Sequence, residues 1–380
     1  MGGAFFQVMR RSIDNIKKKG IIKCMEETVF ERIQETLKRL NEPSFRMKQV
    51  REAWYQPIQG WEDVTTLSKG LREVLSQEVP WFSIRRADVF TSQEDGTKKA
   101  IITLHDDAQV ETVLMPNAKG GYTTCLSSQI GCAMACTFCA TGKMGFARNL
   151  TSDEIVDQVR YWRSKLAAEG TDPSKLTNIV MMGMGEPLAN YNNVKTALAI
   201  FLDEMGFAET NVVLSTVAFA KSLDKMLNDA SFPDVRLAIS IHAGTDTTRN
   251  KIVPSHTGTS IEQIEAFVRR YLKERGTRNK HITFEYVMLE RVNDFEEEAL
   301  SLANRYKDVR DQIKINLIPW NTTSGALERS SMDRIKAFKK ILRSEGFDVT
   351  IRISKGQDIE AACGQLANTP ADERPTEASA

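Results

Sequence analysis

From Thr123 onward the chain repeats one theme: a short apolar strand, a loop, then an amphipathic helix. Strands separated by helices of this length lie parallel and are joined by right-handed crossovers. The pattern predicts strands at Thr123–Leu126, Asn178–Met182, Asn211–Ser215, Val235–Ile241, Ile282–Leu289 and Ile313–Ile318, with a further candidate at Asp348–Ser354. Between them, apolar residues recur at helical spacing. Ile155, Val159, Trp162 and Leu166 share one face, Val194, Leu198, Phe201 and Met205 a second, and Ile264, Phe267, Val268 and Tyr271 a third. Thr151 with Glu154, and Ser260 with Gln263, have the spacing of capping boxes, and Gly170, Gly206, Gly276 and Gly346 supply stops. The fold class expected is α/β. Six units make a partial (β/α)6 barrel, short of the eight that close a ring.

Residues 1–95 read differently. Ile33, Leu37 and Leu40 share a helical face, Val50, Trp54, Trp61, Leu67 and Leu71 continue the apolar pattern, and Asn41-Glu42-Pro43 breaks it. A small N-terminal helical domain is expected there. Its first 51 residues hold twelve Lys and Arg against six Asp and Glu, although the whole chain is nearly neutral at +1. Such a segment can follow a phosphate backbone or can simply be a solvated helix surface. Residues 96–117 read as a β-hairpin leading into the barrel, 118–357 as the core, and the Pro, Ala, Glu and Thr tail from Ala367 as disordered. No apolar run reaches the ~18 residues a membrane helix needs, and no signal peptide is apparent. Four of the six cysteines fall within residues 125–139, which is unlike a secreted disulfide scaffold and suits a reducing, cytoplasmic location.

In strand-and-helix folds of this kind, chemistry sits in the loops after the carboxyl ends of the strands. After the first strand comes Cys132-Ala-Met-Ala-Cys136-Thr-Phe-Cys139, a C-x3-C-x2-C loop. Three thiolates in one tight loop can hold three irons of a four-iron, four-sulfur (4Fe-4S) cluster and leave the fourth open. The alternatives are a buried structural cysteine cluster or a zinc site, though zinc wants four protein ligands. After the second strand comes Gly183-Met-Gly185-Glu186-Pro187, where glycines allow close backbone approach and a carboxylate can accept from an ammonium. Ser215, Ser240, Ile241, His242 and Asn321 sit at later strand ends. Hydroxyl, imidazole and amide groups there can serve a nucleotide or merely cap strands.

The cysteine loop and the glycine segment resemble the radical S-adenosylmethionine (SAM) superfamily. With Cys125-Leu-Ser-Ser-Gln-Ile-Gly-Cys132 and Ala361-Ala-Cys363-Gly-Gln-Leu366, the chain from about Thr112 to Leu366 resembles the RlmN/Cfr family of RNA adenine methyltransferases. That resemblance implies a 4Fe-4S cluster on Cys132, Cys136 and Cys139, with SAM held by Gly185, Glu186, Ser215, Ser240, Ile241, His242 and Asn321. It implies that Cys363, on a mobile loop, takes a methyl group from one SAM. A 5′-deoxyadenosyl radical from a second SAM then takes a hydrogen atom from that S-methyl group, and the carbon radical adds to adenine. Cys125 resolves the covalent adduct, leaving a Cys125–Cys363 disulfide, and Glu111 serves as proton acceptor.

Pro187 after Glu186, and Pro319-Trp320 before Asn321, are closer to RlmN (C2 of adenine) than to Cfr (C8). The implied partners are 23S rRNA and, in many members, tRNA next to the anticodon, with an electron donor such as flavodoxin or ferredoxin. A monomer without membrane association is expected, its basic N-terminal domain holding RNA. Val217-Ala218, Thr322-Thr323 and a tail without a basic cluster depart from the family pattern and bear on substrate range. The contrasting reading from another class is an RNA-binding protein with a structural metal site.

Overall fold

The computed structural model describes residues 28–276, 282–323 and 325–367. They fall into two compact units, which divide between Ser83 and Ile84.

The smaller unit contains α1 (Val29–Arg39), α2 (Phe45–Trp54) and α3 (Lys69–Glu78). Thr28 caps α1 in a reciprocal box with Glu31, and the chain turns at Asn41 in a left-handed conformation (φ 53°). Ile33, Leu37, Val50, Leu71 and Leu75 form its aliphatic core. Beside them Trp54 and Trp81 pack at a 57° tilt with centroids 4.6 Å apart, and Trp61 meets Trp81 edge-on at 5.0 Å. The Trp61 indole N–H is satisfied by the Val79 carbonyl at 2.6 Å. The basic positions before residue 28 lie outside the described residues. Of the later ones, Arg39, Arg46 and Lys48 are paired with Glu78, Glu42 and Glu52.

The helical character expected through residue 95 stops earlier. Ile84–Thr91 is a strand, β1, paired antiparallel with β2 (Lys98–Leu104), which pairs with β3 (Gln109–Pro116). Its exposed Arg85, Arg86 and Thr91 and its otherwise half-buried residues mark it as an edge, which is why no clean alternation betrays it. The hairpin of residues 98–116 is present, and it belongs to the main sheet.

Among the described residues that sheet has ten strands in the order β1-β2-β3-β4-β7-β8-β9-β10-β11-β12. After the antiparallel β1–β3, seven strands run parallel: β4 (Tyr122–Cys125), β7 (Leu176–Met181), β8 (Val212–Thr216), β9 (Arg236–Ser240), β10 (Ile282–Met288), β11 (Ile313–Pro319) and β12 (Asp348–Ile351). β1 and β12 are not paired with each other, so the barrel is open, as six βα units require. β10 is buried along its whole length, as a strand covered on both faces must be.

The helices cover the outer face with the residues expected. α5 (Ser152–Ala168) buries Ile155, Val159, Trp162 and Leu166, and α6 (Tyr191–Asp203) buries Val194, Leu198 and Phe201. α7 (Ala220–Asn228), α9 (Ile261–Arg275), α10 (Glu296–Tyr306) and α11 (Met332–Ser344) complete the layer. Three small elements have no periodic signal in the sequence. These are the two-stranded sheet of β5 (Gln129–Gly131) and β6 (Phe146–Asn149), the short α4 (Ala140–Lys143), and α8 (Asp246–Ile252). All three surround the strand ends that carry the notable residues. Among the described residues no helix is long and apolar enough to cross a membrane.

Both capping boxes form. Thr151 accepts from the Glu154 N–H, and the Glu154 carboxylate accepts from the Thr151 N–H at 2.8 Å. Thr151→Ala is expected to cost about 1 kcal/mol, lowering the melting temperature by about 2 °C. Thermal unfolding followed by circular dichroism checks it.

Candidate active site

The cysteine loop leaves and rejoins the small β5–β6 sheet at one neck. Cys132 N–H donates to the Gly145 carbonyl at 2.8 Å, and Gly131 turns there with φ 71°. A Cβ at Gly131 would lie 1.9 Å from that carbonyl oxygen, so only glycine fits. From the far side, Thr137 N–H donates to the Ile252 carbonyl at 3.0 Å, and the Trp320 indole donates to the Phe138 carbonyl at 2.9 Å. Gly142 packs so tightly on Cys136 that a Cβ would meet its backbone nitrogen at 2.9 Å.

Cys132, Cys136 and Cys139 thereby line one cavity of about 150 Å³. Burial pushes the Cys132 thiol up to about 12 and raises Cys136 and Cys139 as well. For Cys136 the neighbouring Cys139 and Cys132 add to that rise. Three mutually repelling buried thiolates need a positively charged partner. Among the described residues no three His, Cys, Asp or Glu converge on a point that could hold a single metal ion. The donor type decides the fit: three soft sulfur donors from one tight loop, on the wall of one cavity, are the set an iron–sulfur cluster takes.

The glycine segment lies flat against residues 126–129. Gly185 has φ 100°, and a Cβ there would approach the Gln129 nitrogen to 2.8 Å. At Gly183 a Cβ would meet the Ser127 hydroxyl at 2.6 Å. Glu186 follows, 3% exposed. Its carboxylate accepts from the Thr216 hydroxyl (2.6 Å), the Val217 N–H (2.8 Å) and the Leu188 N–H (3.0 Å). Burial raises its pKa, and those three hydrogen bonds oppose the rise.

Further round the rim, the Ser215 and Ser240 hydroxyls are 3.4 Å apart. His242 adopts φ 56°, and its Nδ1 accepts from the Val287 N–H at 3.1 Å, which leaves the proton on Nε2. Burial, helped by Arg249, drops its pKa to about 3, so the ring is neutral. Gly185, Glu186, Ser215, Ser240, His242 and Asn321 all line the same cavity as the three cysteines. The Ile241 side chain does not. It is buried in the core, and its carbonyl accepts from Arg249.

Cys363 lines this cavity and also a second one of about 500 Å³, whose wall includes Cys125. Arg352, Cys139, Met182 and Gly183 are likewise common to both. Cys125 is held at the end of β4 by the Thr112 hydroxyl, which donates to its carbonyl at 2.8 Å and accepts from the Trp162 indole at 3.2 Å. Burial pushes the Cys125 thiol up to about 12, with Cys363 adding and Arg352 opposing. Both thiols are free.

The Cys363 segment is a docked loop. Asn321 donates to the Cys363 carbonyl (3.0 Å), Ala140 N–H to the Gly364 carbonyl (2.7 Å), and the Thr141 hydroxyl to the Leu366 carbonyl (2.7 Å). Residues 368–380, which hold most of the tail expected to be disordered, lie outside the described residues.

Glu111 is fully buried, although a lone hairpin glutamate is more often solvated. Its carboxylate lies 3.3 Å from the Lys99 ammonium and accepts from the Ala367 N–H at 3.0 Å, and it is not among the residues lining either cavity.

Several working residues escape a reading of the sequence: Thr216, Arg249, Arg352 and Lys99. Fully buried Arg249 donates to the carbonyls of Ser240 (2.8 Å), Ile241 and Val217 (2.5 Å), joining two strand ends. Burial draws its pKa down to about 10, with Cys136 opposing. Only Lys99, a charge at the head of the apolar run Ala100–Ile102, carries any signal in the sequence.

Residues 126–303 match the family model of the radical SAM superfamily. A crystal structure of a radical SAM methyltransferase from Sphaerobacter thermophilus is 36% identical, over 90% of this chain and 98% of that one, with a TM-score of 0.82. The chain belongs to the radical SAM methyltransferases. More distant likenesses include a domain of a pyruvate-formate lyase-activating enzyme from Bacteroides vulgatus (18% identity, 47% of this chain and 99% of that one, TM-score 0.36). Another is a radical SAM methyltransferase from Kitasatospora setae solved with tryptophan and a SAM analogue (16% identity, 52% of this chain and 36% of that one, TM-score 0.34).

The cofactors of a radical SAM methyltransferase are a 4Fe-4S cluster and SAM. The three cysteines can hold the first, and ionised Glu186 can accept from the ammonium of the second. Thr216→Val removes one of the hydrogen bonds that oppose the rise in the Glu186 pKa. Glu186 is then expected to protonate at a higher pH, so SAM affinity is lower than in the parent over the window where the parent's Glu186 is still ionised. Because protonation removes the negative charge that attracts the ammonium, affinity falls as pH drops through the raised Glu186 pKa, and in Thr216→Val that fall begins at higher pH. Anaerobic calorimetry across a pH series checks both.

Proposed function

We propose that this radical SAM methyltransferase methylates C2 of an adenine in RNA, with 23S rRNA as substrate and tRNA as a second one, using Cys363 as methyl carrier. The observation that carries the proposal is the place of Cys363 on a wall common to two cavities. One is lined by the three clustered cysteines and the Gly185–Glu186 segment; the other contains Cys125 and is large enough for a nucleobase. A residue so placed can receive a group on one side and present it on the other.

In this reading Cys132, Cys136 and Cys139 bind the cluster. Gly185 and Glu186 receive the amino group of SAM, and Ser215, Ser240, His242 and Asn321 surround the rest of it. Neutral His242 donates through Nε2. Ile241 contributes from the core by keeping the end of β9 in place. When bound, the reduced cluster and SAM supply a methyl group open to displacement and a carbon radical able to take a hydrogen atom.

Cys363 attacks the first as a thiolate, forming a sulfur–carbon bond as the sulfonium bond to that methyl breaks. Once the carbon of the S-methyl group is joined to adenine, Cys125 attacks the Cys363 sulfur. The sulfur–carbon bond breaks, its electron pair stays on the methylene carbon and takes up a proton to complete the methyl group, and the methylated base leaves a Cys125–Cys363 disulfide for an external reductant to open. Arg352, on both walls, supplies a positive charge beside this exchange. Glu111, the residue that the family resemblance makes a proton acceptor, would act only if its carboxylate left Lys99 and Ala367.

The RlmN-like Pro187 and Pro319-Trp320 support C2 over C8. Trp320 also braces the cysteine loop through Phe138. The basic N-terminal unit is proposed to hold RNA. A monomer working in the cytoplasm with a flavodoxin or ferredoxin as electron donor is the setting this reading implies.

Cys363→Ala is expected to abolish methyl transfer to an rRNA fragment, and Cys125→Ala to accumulate a covalent RNA–protein adduct on a denaturing gel. Retained transfer by Cys363→Ala would overturn the carrier role. Mass spectrometry of digested rRNA from a deletion strain is expected to show loss of 2-methyladenosine; loss of the 8-methyl isomer instead would move the target to C8.

A further inference from the structure

The segment carrying Cys363 is fastened to the antiparallel extension β1–β3 on both sides of the thiol. Before it, Gly356 N–H donates to Asp95 Oδ2 (2.9 Å), Gln93 N–H donates to Asp358 Oδ2 (3.0 Å), and Lys355 Nζ donates to the Pro116 carbonyl. After it, Ala367 N–H donates to Glu111 Oε2 (3.0 Å). One side chain reaches both sides. Lys99 Nζ lies 3.3 Å from Glu111 Oε1 and 3.5 Å from the carbonyl of Glu360, three residues before Cys363. Glu360 is itself held in a left-handed conformation (φ 50°) that a non-glycine residue adopts only under external constraint.

Lys99 and Glu111 are both fully buried. They are diagonal neighbours on paired strands, Lys99 opposite Val113 and Glu111 opposite Ile101. Desolvating such a pair costs about as much as its attraction returns, and apolar residues of similar volume would serve stability as well or better. What the pair adds is a directional tie. Lys99 orients the Glu111 carboxylate so that its other oxygen meets the Ala367 N–H, while its own ammonium meets the Glu360 carbonyl.

We propose that Lys99 is a positioning residue for Cys363: acting through Glu111 and the Glu360 carbonyl, it fixes both flanks of the loop that brings the thiol to the wall between the two cavities. This rests on the reading of Cys363 as the methyl carrier, but the geometry is testable without RNA.

The test is alkylation of Cys363 by iodoacetamide in the full-length, anaerobically purified, cluster-loaded protein, followed by peptide mass spectrometry. Lys99→Met is compared with the double variant Lys99→Met/Glu111→Leu, in which both charges give way to apolar groups. The double variant removes the unpaired buried charge and so keeps the fold even if the single variant does not. Cys363 is expected to react at least about tenfold faster in the double variant, because the loop opens more readily, while iron content and melting temperature match the parent. A wild-type alkylation rate in the double variant would overturn the proposal and leave the pair a structural one. Because no substrate is present, that outcome is separate from any failure of the methyl-transfer assay.

Discussion

The loop that presents Cys132, Cys136 and Cys139 has almost no secondary structure of its own, so its shape is imposed by closure at its neck and by braces from outside. The hydrogen bond from Cys132 to Gly145, across a β5–β6 sheet that only glycine at residue 131 allows, sets where the loop begins and ends. Ile252 of α8 and Trp320 after β11 hold its far side. The neck and the two braces belong to the connections that follow β4, β9 and β11, so the cysteine geometry is a property of the whole open sheet. Moving any one strand end would move a sulfur.

The same strand ends are tied to each other by buried charge. Glu186, after β7, accepts from Thr216 and Val217 at the end of β8. Arg249, on α8, donates to carbonyls from the ends of β8 and β9. Each of these charges is buried at a cost that apolar packing would avoid, yet each has hydrogen-bonding partners on a neighbouring element. His242 contributes in the opposite way: burial keeps it neutral, so it adds a donor to the rim without another positive charge beside Arg249. The result is a mouth where ammonium, hydroxyl and amide partners can be met at set positions, as a radical SAM enzyme needs.

The antiparallel extension gives the open barrel a use for its first edge. Instead of covering β4 alone, β1–β3 supply Asp95, Lys99 and Glu111 as anchors for a segment about 260 residues further along the chain. Long-range fastening of this kind explains how a loop near the chain's end can place Cys363 against Asn321 and Ala140, between two cavities, without belonging to a helix or strand.

Much of the fold was legible from local pattern. Period-3.6 stripes such as Ile155–Val159–Trp162, capping boxes at Thr151 and Ser260, and apolar strand runs report on neighbours within a few residues, and each corresponds to an observed element. The cysteine spacing and the glycine segment were legible for the same reason: their chemistry is carried by residues close together in the chain. β1 was missed because an edge strand with two exposed arginines lacks alternation, and β5, β6 and α8 because elements of three to seven residues carry too few positions to show a period.

What the sequence by itself determined is the alternating α/β architecture and the three-thiol loop, since both follow from contacts between near neighbours. Only the tertiary structure decided that Glu186 is clamped by Thr216, that Arg249 joins two strand ends beside Cys136, that Glu111 is buried against Lys99, and that Cys125 and Cys363 open onto one cavity. Those pairings join residues tens to hundreds of positions apart. Burial and partner choice at that range are set by the closing curve of the sheet, which no local spacing encodes.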